Sequence, residues 1–246
     1  GRDRKPRTGR KTMPRGPNGP NAKRKLEDAL ALARTGDFSG LDVLVAALAS
    51  DDAEVRIKAA YYCERIGFPA AIGPLSRMAA EDSESHNRNQ AIYALVGVGR
   101  PAVVPALVAA LNDPDGERRE DARTALYRLL GRDVLPLLSD EEWGDGRDPD
   151  EAERVAEWWR KAEANFDPGL VYYMGEPASP GLFIEQLKQT QTSLPDALLN
   201  PLSDWTGEDF GQQPLPKVIS RWEKWWGANR EKYVPGRRYF YGHPVP

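Results

Sequence analysis

The sequence predicts an all-α protein: a right-handed α-solenoid of stacked helix pairs, followed by a Trp-rich and mostly helical C-terminal module. Three observations carry that expectation. Short amphipathic segments fill the chain from Ala22 to Leu138. Glycines close them at a fixed step, with Gly36, Gly67, Gly99 and Gly131 standing 31, 32 and 32 residues apart. All seven tryptophans lie later, between Trp143 and Trp226. A period of about thirty residues with two helices per unit marks an architecture in which no pair buries its apolar face alone and neighbours stack into one core.

The elements follow in order. Residues 23–36 (KRKLEDALALARTG) place Leu26, Ala29, Leu30 and Ala33 on one face, at spacings of three and four. Helices are expected next at 41–50, 53–67, 69–80, 86–99, 102–113 and 117–131, each closed by Gly or by a Ser, Asp or Pro turn. Leu44, Leu75 and Leu107 repeat the step one helix later. Acidic turns at 51-DDAE-54, 81-EDSE-84 and 113-DPDG-116 recur between the helices of a pair. About four antiparallel pairs are expected within residues 22–138, without strands.

Val55 to Gly67 reads V-R-x-x-A-A-x-x-C-x-x-I-G, and Pro69 to Leu75 continues P-A-A-I-x-P-L. Arg88 to Leu107 repeats the design as R-N-Q-A-I-Y-A-L-V-G-V-G-R-P-A-V-V-P-A-L. These runs resemble the short HEAT-like repeats of the bilin-lyase group, over roughly Leu26 to Leu138. The resemblance implies a helical solenoid; it implies no single activity, because such repeats serve unrelated roles.

The Trp-rich half repeats a different unit. Residues 158–177 (WWRKAEANFDPGLVYYMGEP) and 225–244 (WWGANREKYVPGRRYFYGHP) match at a constant offset of 67. The offset pairs Trp158 with Trp225, Trp159 with Trp226, Phe166 with Tyr233, Tyr172 with Tyr239 and the Pro-Gly dipeptides at 168 and 235. In the first copy Asp148 is placed to cap a helix, with Pro149 first and Glu151 third in a capping box. Pro-Gly suits a type II turn. The extended residues after it should fold back and stack their rings against the Trp pair. Trp159 and Trp226 are both read as core, with a ligand cage or a stacking platform for bases as the alternative. Between the copies, helices are expected at 179–190 and 194–207, the latter kinked or broken at Pro201. The run Trp225, Trp226, Asn229, Pro235, Gly236, Arg238, Tyr239, Gly242, Pro244 resembles the C-terminal part of uncharacterised bacterial HEAT-repeat proteins. The first copy departs from it, with Ala162 and Val171 where Asn229 and Arg238 stand.

Charge divides the chain. Residues 1–25 hold ten Lys/Arg against Asp3, a balance of +9, and against an overall charge of -3 the remainder carries -12. Residues 1–21 are read as a basic arm too poor in apolar side chains to order alone. Arg2, Arg4, Lys5, Arg7, Arg10, Lys11 and Arg15 are its candidate contacts to a polyanion or an acidic partner. Lacking aromatics, they would touch RNA or DNA phosphates without reading sequence. Residues before Met13 also fit upstream or vector sequence. The expected divisions are this arm, a repeat solenoid at 22–138, and the Trp-rich module at 139–246.

Catalytic chemistry finds little footing. His86 and His243 have no second His or Cys at ligand spacing, and Cys63 is the single cysteine, so no metal, cofactor or catalytic residue is nominated. The acidic stretch 140–153 fails the spacing of a calcium loop. Arg237, Arg238 and Tyr239 are candidate binding or structural residues: exposed cations beside rings that could take an anion or base, or Arg stacked on local rings to fasten the C-terminus. The expectation is a soluble, cytoplasmic, non-enzymatic scaffold that holds a protein partner within a larger assembly, without membrane insertion. The alternative is a nucleoprotein component anchored by the arm.

Overall fold

The computed structural model describes residues 20–138, 148–189, 196–212 and 214–246. Seven helices precede Leu138: α1 (Pro20–Arg34), α2 (Leu41–Ala47), α3 (Ala53–Ile66), α4 (Ile72–Glu81), α5 (Ser85–Val98), α6 (Val104–Ala110) and α7 (Gly116–Leu130). Single 3-10 turns at Pro69–Ala71 and Pro101–Val103 lead into α4 and α6, each with proline at its first residue, where a missing N–H costs nothing. Then come α8 (Glu151–Ala162), a hairpin of β1 (Tyr172–Tyr173) and β2 (Glu176–Pro177), α9 (Pro180–Gln189), α10 (Asp196–Thr206), α11 (Leu215–Asn229), and a second hairpin of β3 (Tyr239–Phe240) and β4 (His243–Pro244).

The fold is an all-α solenoid of stacked repeats. Helices α1, α3, α5 and α7 pack in succession as one layer, and α4, α6 and α8 as a second. Between them lie fully buried Leu26, Leu44, Ile66, Leu75, Ile92, Leu95, Leu107 and Leu126, the apolar positions of the repeat. The expected four pairs are not all contained in residues 22–138. Helices α2 and α3, α4 and α5, and α6 and α7 pair there, while α8 stacks on α6 as α6 does on α4, so the helix bearing the first Trp pair extends the second layer. Its Ala152, Val155 and Trp159 belong to the same core as the repeats. No residue pattern announces this, since an amphipathic helix fits any apolar surface of matching width.

The acidic turns do two jobs. Asp52 and Asp115 cap α3 and α7, their carboxylates accepting from the amides of Glu54 (2.9 Å) and Glu117 (3.0 Å). Asp82 and Asp113 instead receive an arginine from the preceding repeat. Arg56 Nε and Nη2 donate to Asp82 at 2.7 and 2.8 Å, and Arg88 donates to Asp113 at 2.9 and 3.2 Å. These half-buried bidentate pairs tie successive repeats at one edge. Burial opposes ionisation of Asp82, but Arg56 and the Glu84 amide more than offset it and hold the carboxyl below its ordinary value.

At the other end of these helices the backbones touch. A Cβ on Gly97 would lie 2.4 Å from the Glu64 carbonyl oxygen, so α3 and α5 approach closely only because this residue has no side chain.

Two details in the second half differ from expectation. Gly236 has φ +78° and forms the second central residue of a type II turn, as Pro-Gly predicts, but Gly169 does not enter the left-handed region. Asp167 accepts the Gly169 amide at 2.8 Å and stabilises another turn, a bond Val234 cannot offer in the second copy. Helix α10 runs unbroken through Pro201, which lies in its second turn and removes only the bond to Ala197 in the first.

Candidate functional site

The site is built where the layer α1, α3, α5, α7 ends. Gly67 and Gly99 close α3 and α5 in the left-handed conformation, their amides donating to Cys63 and Leu95. Gly36 and Gly131 also have positive φ. The same four glycines are landing points for the C-terminal half. An added Cβ would lie 2.8 Å from His243 at Gly36, 2.5 Å from Arg238 at Gly67, 2.7 Å from Val171 at Gly99 and 2.5 Å from Met174 at Gly131. A periodicity read as helix punctuation is therefore also a docking edge, and the chain returns along all four repeats.

The twin units explain how. In each, two rings carry the Trp pair's packing to the hairpin: Trp159 meets Phe166 at 5.2 Å and Phe166 meets Tyr172 at 4.9 Å edge-on, while Trp226 meets Tyr233 at 6.1 Å and Tyr233 meets Tyr239 at 4.8 Å. The hairpin tyrosines thus reach the Trp pairs through an intervening ring. Their hydroxyls accept the amides of Asp167 (2.8 Å) and Val234 (3.0 Å). Each hairpin turns through two residues of positive φ, Met174-Gly175 and Tyr241-Gly242, as a two-residue type I′ connection requires. Each turn then seals a helix end. Met174 and Gly175 donate to the carbonyls of Arg128 and Leu129 in α7, and Tyr241 and Gly242 to those of Asp204 and Trp205 in α10.

The copies diverge at the residues that break the sequence repeat. Asn229 donates to the Trp225 carbonyl at 2.8 Å, closing α11. Arg238 is buried. Its Nε donates to the Ile66 carbonyl at 2.9 Å, its Nη2 donates to Arg65 O, and the guanidinium lies 5.0 Å from the Trp205 ring. Cationic donors at carbonyls that end a helix are favourable on both hydrogen-bond and dipole grounds. Burial lowers the Arg238 pKa to about 10, opposed by Asp204 and Glu64, so the group stays charged at neutral pH. Beside it Arg65 Nε reaches both carboxylate oxygens of Asp204, at 3.0 and 3.1 Å, tying α3 to α10.

Of the stretch read either as exposed or as fastening the C-terminus, only Arg237 stands in solvent; Arg238, Tyr239 and Phe240 are buried, because the hairpin lies face-down on the glycine edge. Trp159 is buried but Trp226 is only partly so, since α8 is covered by the repeats and α11 packs chiefly on α9. Among the described residues Trp205 and Trp222 are the fully buried indoles. Glu151, expected to complete a capping box, receives Arg123 at 2.8 and 2.9 Å. Arg2, Arg4, Lys5, Arg7, Arg10, Lys11 and Arg15 lie outside the described residues, as do 139–147 of the acidic stretch.

A cavity of about 210 Å³ remains between the repeat ends and the module, lined among others by Glu64, Tyr93, Val96, Arg128, Val171, Tyr173, Phe183 and Asn200. Reasoning from sequence missed Glu64 and Arg128, which look like ordinary charged residues of amphipathic helices. Gln90 Nε2 donates to Glu64 at 2.6 Å. Burial nonetheless pushes the Glu64 carboxyl above its ordinary value; Asp204 adds to the rise, while Gln90, Arg238 and Arg128 oppose it. Between the unfolded and the raised folded pKa the folded chain holds the proton more tightly, so this group makes stability fall as pH rises. Glu64→Gln, neutral and still an acceptor for Gln90, should raise the melting temperature at pH 7. Below about pH 4 the gain should vanish, because both states are then protonated in the parent. Thermal melts across that range check it, and a variant less stable than the parent at pH 7 contradicts it.

With this geometry in view, the comparison with known families is specific. Residues 41–127 match the family of HEAT repeats, about a third of the chain and the part that forms α2 to α7. The match supports a HEAT-like repeat protein. No curated protein matches the chain. No helix among the described residues is long and apolar enough to cross a membrane.

Proposed function

We propose that this chain is a non-enzymatic scaffold or adaptor of the cytoplasm, holding a protein partner on its helical repeats. The observation that carries the reading is the division of the repeat surface. The C-terminal half covers the ends of one helix layer, while α4 and α6 of the other leave a shallow groove between them. Ser76, Ala80, Ala102, Pro105 and Ala109 line it, side chains too small to cover it. Solenoids of this kind commonly offer such extended faces to partners. Cys63 is buried with its thiol pushed far up by burial, so it offers no exposed nucleophile. We place the functional divisions at the arm (1–21), the repeats (22–138) and the Trp-rich half (139–246), with the resemblance to bilin-lyase repeats taken for fold alone.

Ala80→Arg and Ala109→Arg add bulk and charge at exposed positions, so they should leave the fold intact. Purified from native cells, the parent should bring down a defined protein and the double variant should lose it. Identical captures by both would end the reading. The ten cations of residues 1–25 favour a second reading, a nucleoprotein component. Capture would then be abolished by nuclease, and removal of residues 1–20 would flatten the salt dependence of nucleic-acid binding by several units.

A further inference from the structure

We infer that the cavity between the repeat ends and the C-terminal half is a binding site for a small zwitterion with an apolar side chain, of the size of a free amino acid. The inference rests on how the walls are charged. Glu64, from α3, and Arg128, from α7, both line the cavity. Their charges act on one another, yet no ion pair joins them. Among the described residues the Arg128 guanidinium makes no hydrogen bond or ion pair, and Glu64 has only the bond from Gln90. Glu64 and Arg128 are thus opposite charges lining one part-buried space, neither neutralised by an ion pair and both side chains partly exposed to it.

The remaining walls set the body of the ligand. Val96 and Val171 form one apolar side, Tyr173 and Phe183 an aromatic one, with those two rings 4.9 Å apart. The volume of about 210 Å³ equals the share of roughly seven water molecules in the liquid. It falls short of the roughly 300–1,000 Å³ usual for drug-sized ligands. A carboxylate on Arg128, an ammonium on Glu64 and a hydrocarbon side chain against the rings match these charged and apolar walls together. An anion alone leaves Glu64 unmet, and an amine alone leaves Arg128 unmet. Such a ligand bridges α3, α7 and the α9 side chain Phe183, so it fastens the C-terminal half to the repeats.

Calorimetric titration of the full chain with L-phenylalanine and L-leucine, alongside thermal melts, tests this. Saturable heat and a raised melting temperature are expected for at least one. Phenethylamine, which lacks the carboxylate, and N-acetylphenylalanine, which lacks the ammonium, should give neither. Arg128→Gln and Glu64→Gln should each weaken binding by about tenfold or more, while circular dichroism shows both variants folded. No saturable heat at millimolar concentrations would mean that the cavity holds water only. Binding that survives both substitutions, or that the amine reproduces, would equally overturn the assignment.

Discussion

Trp205→Ala is expected to lower stability by about 3–5 kcal/mol, the range for deleting a large buried aromatic with partial relaxation around the void. For a chain of this size that shifts the melting temperature by on the order of 10 °C. Trp205 is almost fully buried in α10, contacts Phe183 edge-on at 5.5 Å, and lies under the Arg238 guanidinium. The same residue offers its carbonyl to the second hairpin turn, so a shift of α10 propagates to β3 and β4. Trp205→Phe should cost less than half as much, because the buried indole N–H has no acceptor and its removal relieves an unmet donor. Urea melts of the three proteins check the order. Equal losses for Ala and Phe would contradict the packing argument.

Arg238→Met is the second large effect. The substitution preserves much of the volume but withdraws the donors from the carbonyls that end α3. Each buried carbonyl left without a partner costs roughly 1–3 kcal/mol. Arg238→Lys keeps the charge but not the fork, so it should recover only part of the loss. The effect should be non-additive with Trp205→Ala, since the two side chains share one contact, with a coupling of about 0.5–3 kcal/mol. A loss below about 0.5 kcal/mol would place Arg238 among ordinary surface residues.

Both substitutions bear on cooperativity. In an open solenoid each repeat touches only its neighbours, and stability is close to a sum along the chain. Here residues 171–174 sit at Gly99 and Gly131, and 238–243 at Gly67 and Gly36, so one C-terminal half contacts all four repeat ends. The parent should therefore melt in one transition. Loosening this brace through Trp205 or Arg238 should separate the melt into two, visible by calorimetry.

The sequence by itself determined what local chemistry controls. The helical period, the glycines that end α3 and α5, the acidic turns and the twin aromatic units are each legible within a few dozen residues. Their energetics depend on neighbours three or four positions away, or on a turn, and the solenoid class follows from them. Only the tertiary structure decided where those pieces meet. That α8 joins the second layer, that the glycine series is also a docking edge, and that Arg238 is buried rather than exposed all rest on contacts between distant parts of the chain. Arg238 and Ile66 are 172 residues apart, and Arg65 and Asp204 are 139. Glu64 and Arg128 look alike to any reading of helix faces. They line one cavity only because the C-terminal half closes over the ends of α3 and α7, and burial is what makes the Glu64 carboxyl resist ionisation.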